Sequence, residues 1–116
     1  MSDIRHDDGF SERWRALSLA QQLGNAGSEV SRALKWRSRN PAIARGALDR
    51  ALDLIDLTLE DPRHVASVAR LREICRLRET LLDYFLGPNQ YGWTEAALRR
   101  YFDSFAVAVS RTRGAG

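Results

Sequence analysis

Several residue types that mark familiar classes of protein are scarce in this sequence of 116 residues. Its one cysteine, Cys75, cannot form a disulfide within the chain or build a thiolate zinc site. No stretch approaches about eighteen consecutive apolar residues, which argues against a membrane-spanning helix. The first ten residues lack the basic start and apolar run of a secretory signal. We therefore expect a cytoplasmic protein with no membrane association.

Motifs that carry catalysis are missing as well. Neither His6 nor His64 has a glutamate three residues before it, which removes the Glu-x-x-His spacing of carboxylate di-metal bundles. There is no phosphate-binding glycine loop with its lysine and no nucleophile elbow. Cys75 falls on an apolar stripe, which predicts a buried, unreactive thiol. The sequence therefore favours a protein that is not an enzyme, and it predicts no metal site and no cofactor.

The composition that is present is that of an ordinary folded domain with an arginine-rich charge. Hydrophobic residues make up 44% and charged residues 28% of the chain, and the formal net charge is +3. Of the basic residues only Lys35 is a lysine. Arginine pairs with carboxylates and phosphates through two parallel hydrogen bonds, so nucleic-acid binding is permitted. A genome that favours arginine codons would give the same composition.

Helical periodicity, interrupted by proline and glycine, predicts an all-α, up-down bundle of about four helices. Asn40 before Pro41, and Asp61 before Pro62, each combine a capping side chain with a proline at the first helical position. The predicted helices span approximately residues 11–38, 41–60, 62–86 and 94–110. They form one domain, 11–110, between flexible tails at 1–10 and 111–116.

The first predicted helix has an unusually small middle. Ala20, Gly24 and Ser28 are four residues apart, and Gly27 adjoins them. Small residues let another helix approach the backbone closely, which is the favoured interpretation. The alternative is a weakened or kinked helix, since each glycine costs roughly 1 kcal/mol relative to alanine.

The second predicted helix carries a row of acidic residues. Asp49, Asp53, Asp56 and Glu60 recur at spacings of four, three and four, which puts them on one side of the helix. A cation site is one interpretation. The favoured one is a solvated face that pairs with arginines of the next helix, where Arg78 and its neighbours come within reach.

Arg78 also falls among apolar positions of the third predicted helix, and a buried arginine needs a carboxylate. Glu29 is one candidate partner, and Asp53 or Asp56 is another. We therefore predict a partly buried polar network of Glu29, Asp53, Asp56 and Arg78. A structural role for it is favoured over a ligand site.

A basic and aromatic cluster ends the first predicted helix. Trp36 lies beside Arg37 and Arg39, a combination suited to stacking on a nucleobase or binding a protein partner. Cations are also favoured at a helix C-terminus for electrostatic reasons, which is the structural alternative. Trp36, Arg37 and Arg39 are the first predicted contact residues, and Arg72 and Arg76 are the next.

Three segments together resemble a family of small bacterial and archaeal helical proteins without an assigned activity. They are WRALSLAQQLGNAGSEVSRALKW, ALDRALDLIDLTLEDPR and RLREICRLRETLLDYFLG, and the resemblance covers roughly residues 14 to 109. It implies one helical domain and nothing about chemistry.

At the level of architecture the chain is similar to two groups of RNA-linked helical bundles. One is the HEPN group, which includes toxin ribonucleases, and the other contains ribosomal-intervening-sequence and retroelement accessory proteins. The HEPN nuclease signature is an arginine, four to six intervening residues and then a histidine. Neither His6 nor His64 has an arginine at that spacing. The similarity therefore implies a binding role more than nuclease activity.

These observations favour a non-enzymatic binding or accessory protein, a homo-oligomer that acts through a protein or RNA partner. The alternative is a small ligand-binding or metal-binding bundle, or a HEPN-like enzyme, that uses the polar network around Arg78.

Overall fold

The computed structural model describes residues 8–115, with side chains described for residues 9–111, and this part of the chain consists of helices and short connections without strands. The all-α class is confirmed. The described helices are α1 (Asp8–Arg15), α2 (Leu19–Trp36), α3 (Pro41–Leu59), α4 (Pro62–Val65), α5 (Val68–Phe85) and α6 (Glu95–Ala115).

The first predicted helix, 11–38, is in fact two helices. Ser18 has an extended backbone, its hydroxyl accepts a hydrogen bond from the Gln21 amide, and the Gln21 side chain accepts one from the Ser18 amide. This reciprocal capping box ends α1 and starts α2. The predicted tail 1–10 also needs correction, because α1 already begins at Asp8. Residues 1–7 lie outside the described part.

The third predicted helix, 62–86, is divided too. The single turn of α4 ends at Val65, and Ser67 caps α5 by accepting a hydrogen bond from the Arg70 amide. At the other end of the chain, α6 continues to Ala115, so residues 111–115 of the predicted tail are helical. Both interior breaks occur at serines whose hydroxyls satisfy amides that a continuous helix would have bonded to its own carbonyls.

The four long helices share one core. Helix α2 packs on both α3 and α6, and α5 packs on α3. The bundle core is formed by fully buried side chains of every long helix: Leu23, Val30, Leu48, Ile55, Ile74, Leu81 and Leu98. By contrast, the α5 and α6 backbones scarcely approach each other.

The close approach predicted from the small residues of α2 is confirmed at Gly27. A Cβ atom at this position would lie 2.8 Å from Phe102 of α6, so only glycine admits the ring where it lies. Gly24 differs, since a Cβ there would lie 4.0 Å from the Phe105 Cβ, which is ordinary contact distance. The helix is continuous through both glycines.

The two glycines provide a matched test of this packing. We expect Gly27→Ala to lower the free energy of unfolding by about 1–3 kcal/mol, because Phe102 must move. Gly24→Ala should instead leave stability unchanged or raise it by up to about 1 kcal/mol through helix propensity. Urea denaturation followed by circular dichroism measures both. Equal effects of the two substitutions would contradict the account.

Candidate ligand-binding groove

The predicted contact residues at the end of α2 lie at a corner where α2 meets α5. The Arg37 guanidinium lies 4.5 Å from the centre of the Tyr84 ring and donates a hydrogen bond of 3.2 Å to the Tyr84 carbonyl. Trp36 is half-buried beneath Lys35, and Arg39 is exposed. Arg37 therefore links the C-terminal ends of α2 and α5. Of the three predicted contact residues, Trp36 and Arg39 are the more available to a partner.

The four residues of the predicted polar network do not meet at one place. Arg78 Nε donates to Asp56 Oδ1 at 2.8 Å, as one of the predicted pairings requires, whereas Glu29 pairs with Arg50 of α3. Asp53 Oδ2 is buried without a hydrogen-bond partner among the described residues. The network is thus separate pairs rather than one cluster.

Arg78 is also less buried than its position suggested, with 37% of its side chain exposed. The buried stripe of α5 passes through Ile74, Leu77 and Leu81, which leaves Arg78 and Cys75 on its flanks. Hydrogen bonding to Asp56 raises the pKa of Arg78. A partly exposed pair of this kind contributes only about 0–1 kcal/mol to stability.

A buried polar cluster that the sequence analysis missed lies where α1, α2, α3 and α4 converge. Gln22 is fully buried, and its amide nitrogen donates to the Trp14 carbonyl at 2.9 Å and to Asp61 Oδ2 at 3.1 Å. Its amide oxygen, which can only accept, lies 2.8 Å from His64 Nε2. His64 therefore carries its proton on Nε2, and Nδ1 is left to accept from Arg70 at 3.4 Å.

Asp61 holds this cluster together through Arg63. The Arg63 side chain donates to both carboxylate oxygens of Asp61, and it also donates to the Leu17 carbonyl at 2.6 Å. The hydrogen bond from Arg63 keeps the pKa of Asp61 well below its usual value. The sequence feature that could have indicated this cluster is Gln22. It lies four positions before the buried Ala26, so it falls on the buried face of α2 although it is polar. Because its charges and hydrogen bonds are satisfied internally, the cluster is a structural junction.

An open groove of about 700 Å³ lies between α5, α6 and the connection that joins them. It is the place where the α5 and α6 backbones stand apart. Its lining combines cations, carboxylates and aromatic rings: Arg72, Glu73, Cys75, Arg76, Leu77, Glu79, Thr80, Tyr91, Trp93 and Tyr101. Arg72 and Arg76 were predicted as contact residues, whereas Tyr91, Trp93 and Tyr101 were not.

The connection before α6 is shaped by two side chains. The Asp83 carboxylate accepts hydrogen bonds from the Gln90 and Tyr91 amides, at 2.9 and 3.0 Å. Asn89 adopts a left-handed backbone, with φ of 55°, and its side chain bonds both the amide and the carbonyl of Trp93. Asparagine tolerates this conformation better than most residues. The result is a fixed turn that places Tyr91 and Trp93 against the groove.

The aromatic wall of the groove is hydrogen-bonded to α5. Trp93 and Tyr101 pack edge to face with ring centres 6.0 Å apart. The Tyr101 hydroxyl donates to Glu73 at 3.5 Å, and the Tyr91 hydroxyl donates to Glu79 at 3.3 Å. Burial raises the pKa of Tyr101 to about 12, and the charge of Glu79 raises the pKa of Tyr91. Both phenols therefore remain protonated at neutral pH.

The two arginines at the rim of the groove form no ion pair with the described part of the chain. Within the described residues, Arg72 and Arg76 have no carboxylate at ion-pair distance, whereas Arg50, Arg63 and Arg78 each have one. Cys75 lies between the two free arginines and is exposed, so the expected buried thiol is wrong. The groove thus offers two unpaired guanidinium groups beside exposed ring surface.

Metal binding has no support in the side-chain geometry of residues 9–111. No group of three or more histidine, cysteine, aspartate or glutamate side chains in that range is arranged to hold a metal ion. Nor is any described helix both long and apolar enough to cross a bilayer.

No family model, curated protein or solved structure matches the chain. The candidate function is therefore argued from the groove itself.

The buried cluster predicts how stability depends on pH. Burial lowers the pKa of His64 below its usual value of 6.5, an effect that Arg63 and Arg70 reinforce and Asp61 opposes. Below about pH 6.5 the unfolded chain binds a proton that the folded protein does not, so stability falls as the pH drops from 7 to 5. The lowered pKa of Asp61 adds a further loss only below about pH 4.

We expect His64→Gln to flatten the stability profile between pH 7 and pH 5, since glutamine does not titrate. The contribution of one such group is at most about 1.4 kcal/mol per pH unit. Urea midpoints at several pH values for both proteins give the measurement. Parallel profiles for the two proteins would mean that His64 is not held neutral by burial.

Proposed function

We propose that this protein is a non-enzymatic binding module that takes single-stranded RNA in the groove between α5 and α6. The observation that carries the proposal is the pair of unpaired arginines, Arg72 and Arg76, beside the rings of Tyr91, Trp93 and Tyr101. Proteins that bind single strands combine a cationic track for the phosphates with aromatic side chains on which bases stack. The net charge of +3 acts in the same direction.

The shape of the groove favours an unpaired strand over a duplex. Tyr91 is exposed at the edge of the groove, whereas Trp93 and Tyr101 are partly buried in it, and a base reaches these two rings only when it is not stacked and paired. Arg72 and Arg76 are one helical turn apart on the same face of α5, so both can contact one backbone. Trp36 and Arg39, at the α2 corner, remain predicted as a second and separate contact surface.

Binding to a protein partner, including a second copy of this chain, is the second candidate. The feature that favours it is the apolar run Phe105–Val109 near the end of α6, where Val107 is 49% exposed. The polar cluster proposed as an alternative ligand or metal site gains no such support, since Glu29 and Arg78 are engaged by different partners.

The first experiment is a fluorescence-anisotropy titration with short single-stranded RNA and duplex RNA at two salt concentrations. We expect affinity for the single strand to fall steeply with salt, because arginine contacts to phosphates release counterions. Arg72→Gln combined with Arg76→Gln should weaken binding at least about tenfold, as two charge-assisted contacts are lost.

The matched control combines Arg15→Gln with Arg45→Gln, which removes the same charge from exposed positions on α1 and α3. It should weaken binding much less. Trp36→Ala with Arg39→Ala tests the corner of α2 in the same assay. Equal losses in the groove variant and its control would reduce the interaction to net charge. No binding to RNA at low salt would refute the proposal and leave a protein partner to be sought.

A further inference from the structure

Thr80 lies at the floor of the groove with a hydroxyl that the protein does not use. The residue is 4% exposed and lines the groove, yet its hydroxyl makes no hydrogen bond with any described residue. Thr58 is a second buried threonine in a helix, and its hydroxyl provides a comparison with that of Thr80. The Thr58 hydroxyl donates to the Leu54 carbonyl at 2.8 Å and accepts from the Trp14 indole at 3.1 Å.

The side chain of Thr80 is almost wholly buried, but its hydroxyl oxygen still opens to the groove, since it is not among the fully enclosed, unpartnered polar atoms of the described residues. A hydroxyl with mostly apolar surroundings gains when a ligand supplies a hydrogen bond. Thr80 faces the groove, so a partner can reach it only from there. Its neighbour one turn earlier is Leu77, which is 5% exposed and gives the floor an apolar patch. The floor therefore pairs an apolar surface with a single hydrogen-bonding group.

The groove is apolar and aromatic at its floor and side and positively charged at its rim. Trp93 and Tyr101 form its aromatic side, and Arg72 and Arg76 lie at its rim. A matching ligand has a flat ring with a polar edge at one end and an anionic group at the other. A volume of about 700 Å³ is in the range of small-molecule sites and exceeds what a bare phosphate would fill.

We propose that the groove holds one nucleotide as a unit. The base lies on Leu77 against the aromatic side, Thr80 hydrogen-bonds to the edge of the base, and the phosphate binds Arg72 and Arg76. The proposal rests on the proposed function and names the part of the RNA that is recognised. A hydroxyl both donates and accepts, so Thr80 can bond any of the four bases, and the site should show little base preference.

One consequence is that a free nucleotide should occupy the groove. We expect adenosine 5′-monophosphate to bind and to displace a fluorescent RNA, whereas ribose 5-phosphate, which lacks the base, should do so much more weakly. Direct binding is measured by calorimetry and displacement by anisotropy, both with the full chain. Cytidine 5′-monophosphate should bind within a fewfold of the adenosine nucleotide.

Thr80 is tested by substitutions that keep its volume or its hydroxyl. Thr80→Val should weaken binding of adenosine 5′-monophosphate about fivefold, the usual effect of one lost hydrogen bond, and leave ribose 5-phosphate unchanged. Thr80→Ser should retain most of the affinity. Ser104→Ala, which removes an exposed hydroxyl on α6, is the control and should change neither. Thermal unfolding of each variant checks that the fold is kept.

The outcomes separate this proposal from the previous one. RNA that binds but is not displaced by the nucleotide would overturn the nucleotide site while leaving the RNA-binding role intact. A nucleotide that binds in a Thr80-dependent way, with no RNA binding, would keep the site and remove the RNA. Equal affinity of Thr80→Val and the unmodified protein for the nucleotide would overturn the role of the hydroxyl.

Discussion

The contact between Gly27 and Phe102 sets the position of α6, and the position of α6 creates the groove. Because Gly27 has no side chain, the Phe102 ring enters the surface of α2 and draws α6 against that helix. Helix α6 then stands away from α5, and aromatic side chains rather than backbone fill the space between them. A larger residue at position 27 would displace α6 and alter the aromatic side of the groove.

Two polar regions of the molecule differ in how their groups are paired. Around Gln22 and Asp61, buried polar groups are satisfied by one another, which joins the short helices α1 and α4 to the bundle. At the groove, Arg72 and Arg76 form no ion pair and Thr80 forms no side-chain hydrogen bond with the described residues. Polar groups that the fold leaves unpaired beside an open space are available to a ligand, and the functional proposal depends on this difference.

The sequence predicted the helical class and the starts of α3 and α4, because Asn40 and Asp61 precede prolines that fit the first helical turn. It predicted helices too long around Ser18 and Ser67, where one hydroxyl was enough to end periodic segments that otherwise continue. The signal at Ser18 was present as the serine-to-glutamine spacing of a capping box.

The site was harder to predict than the fold. Arg72 and Arg76 are predictable from charge alone. Thr80 and Trp93 carry no sequence signal of binding, since a threonine in an apolar helix face and a tryptophan before a helix cap are usual packing residues. The errors at Cys75 and Arg78 share one cause. Helical periodicity locates the buried face of α5 only to within about one residue. The packing of α5 in the bundle decides which residues lie at the centre of that face and which lie on its flanks.

The most direct test of the account is a nuclear magnetic resonance titration with short single-stranded RNA, in which the amide and side-chain signals of the assigned protein are followed. We predict that the shifts concentrate on Arg72–Thr80 of α5 and on Tyr91–Tyr101, with the indole signal of Trp93 among the largest. Shifts confined to the Trp36–Arg39 corner, or spread evenly over the arginine-rich surface, would contradict the claim that the groove is the binding site.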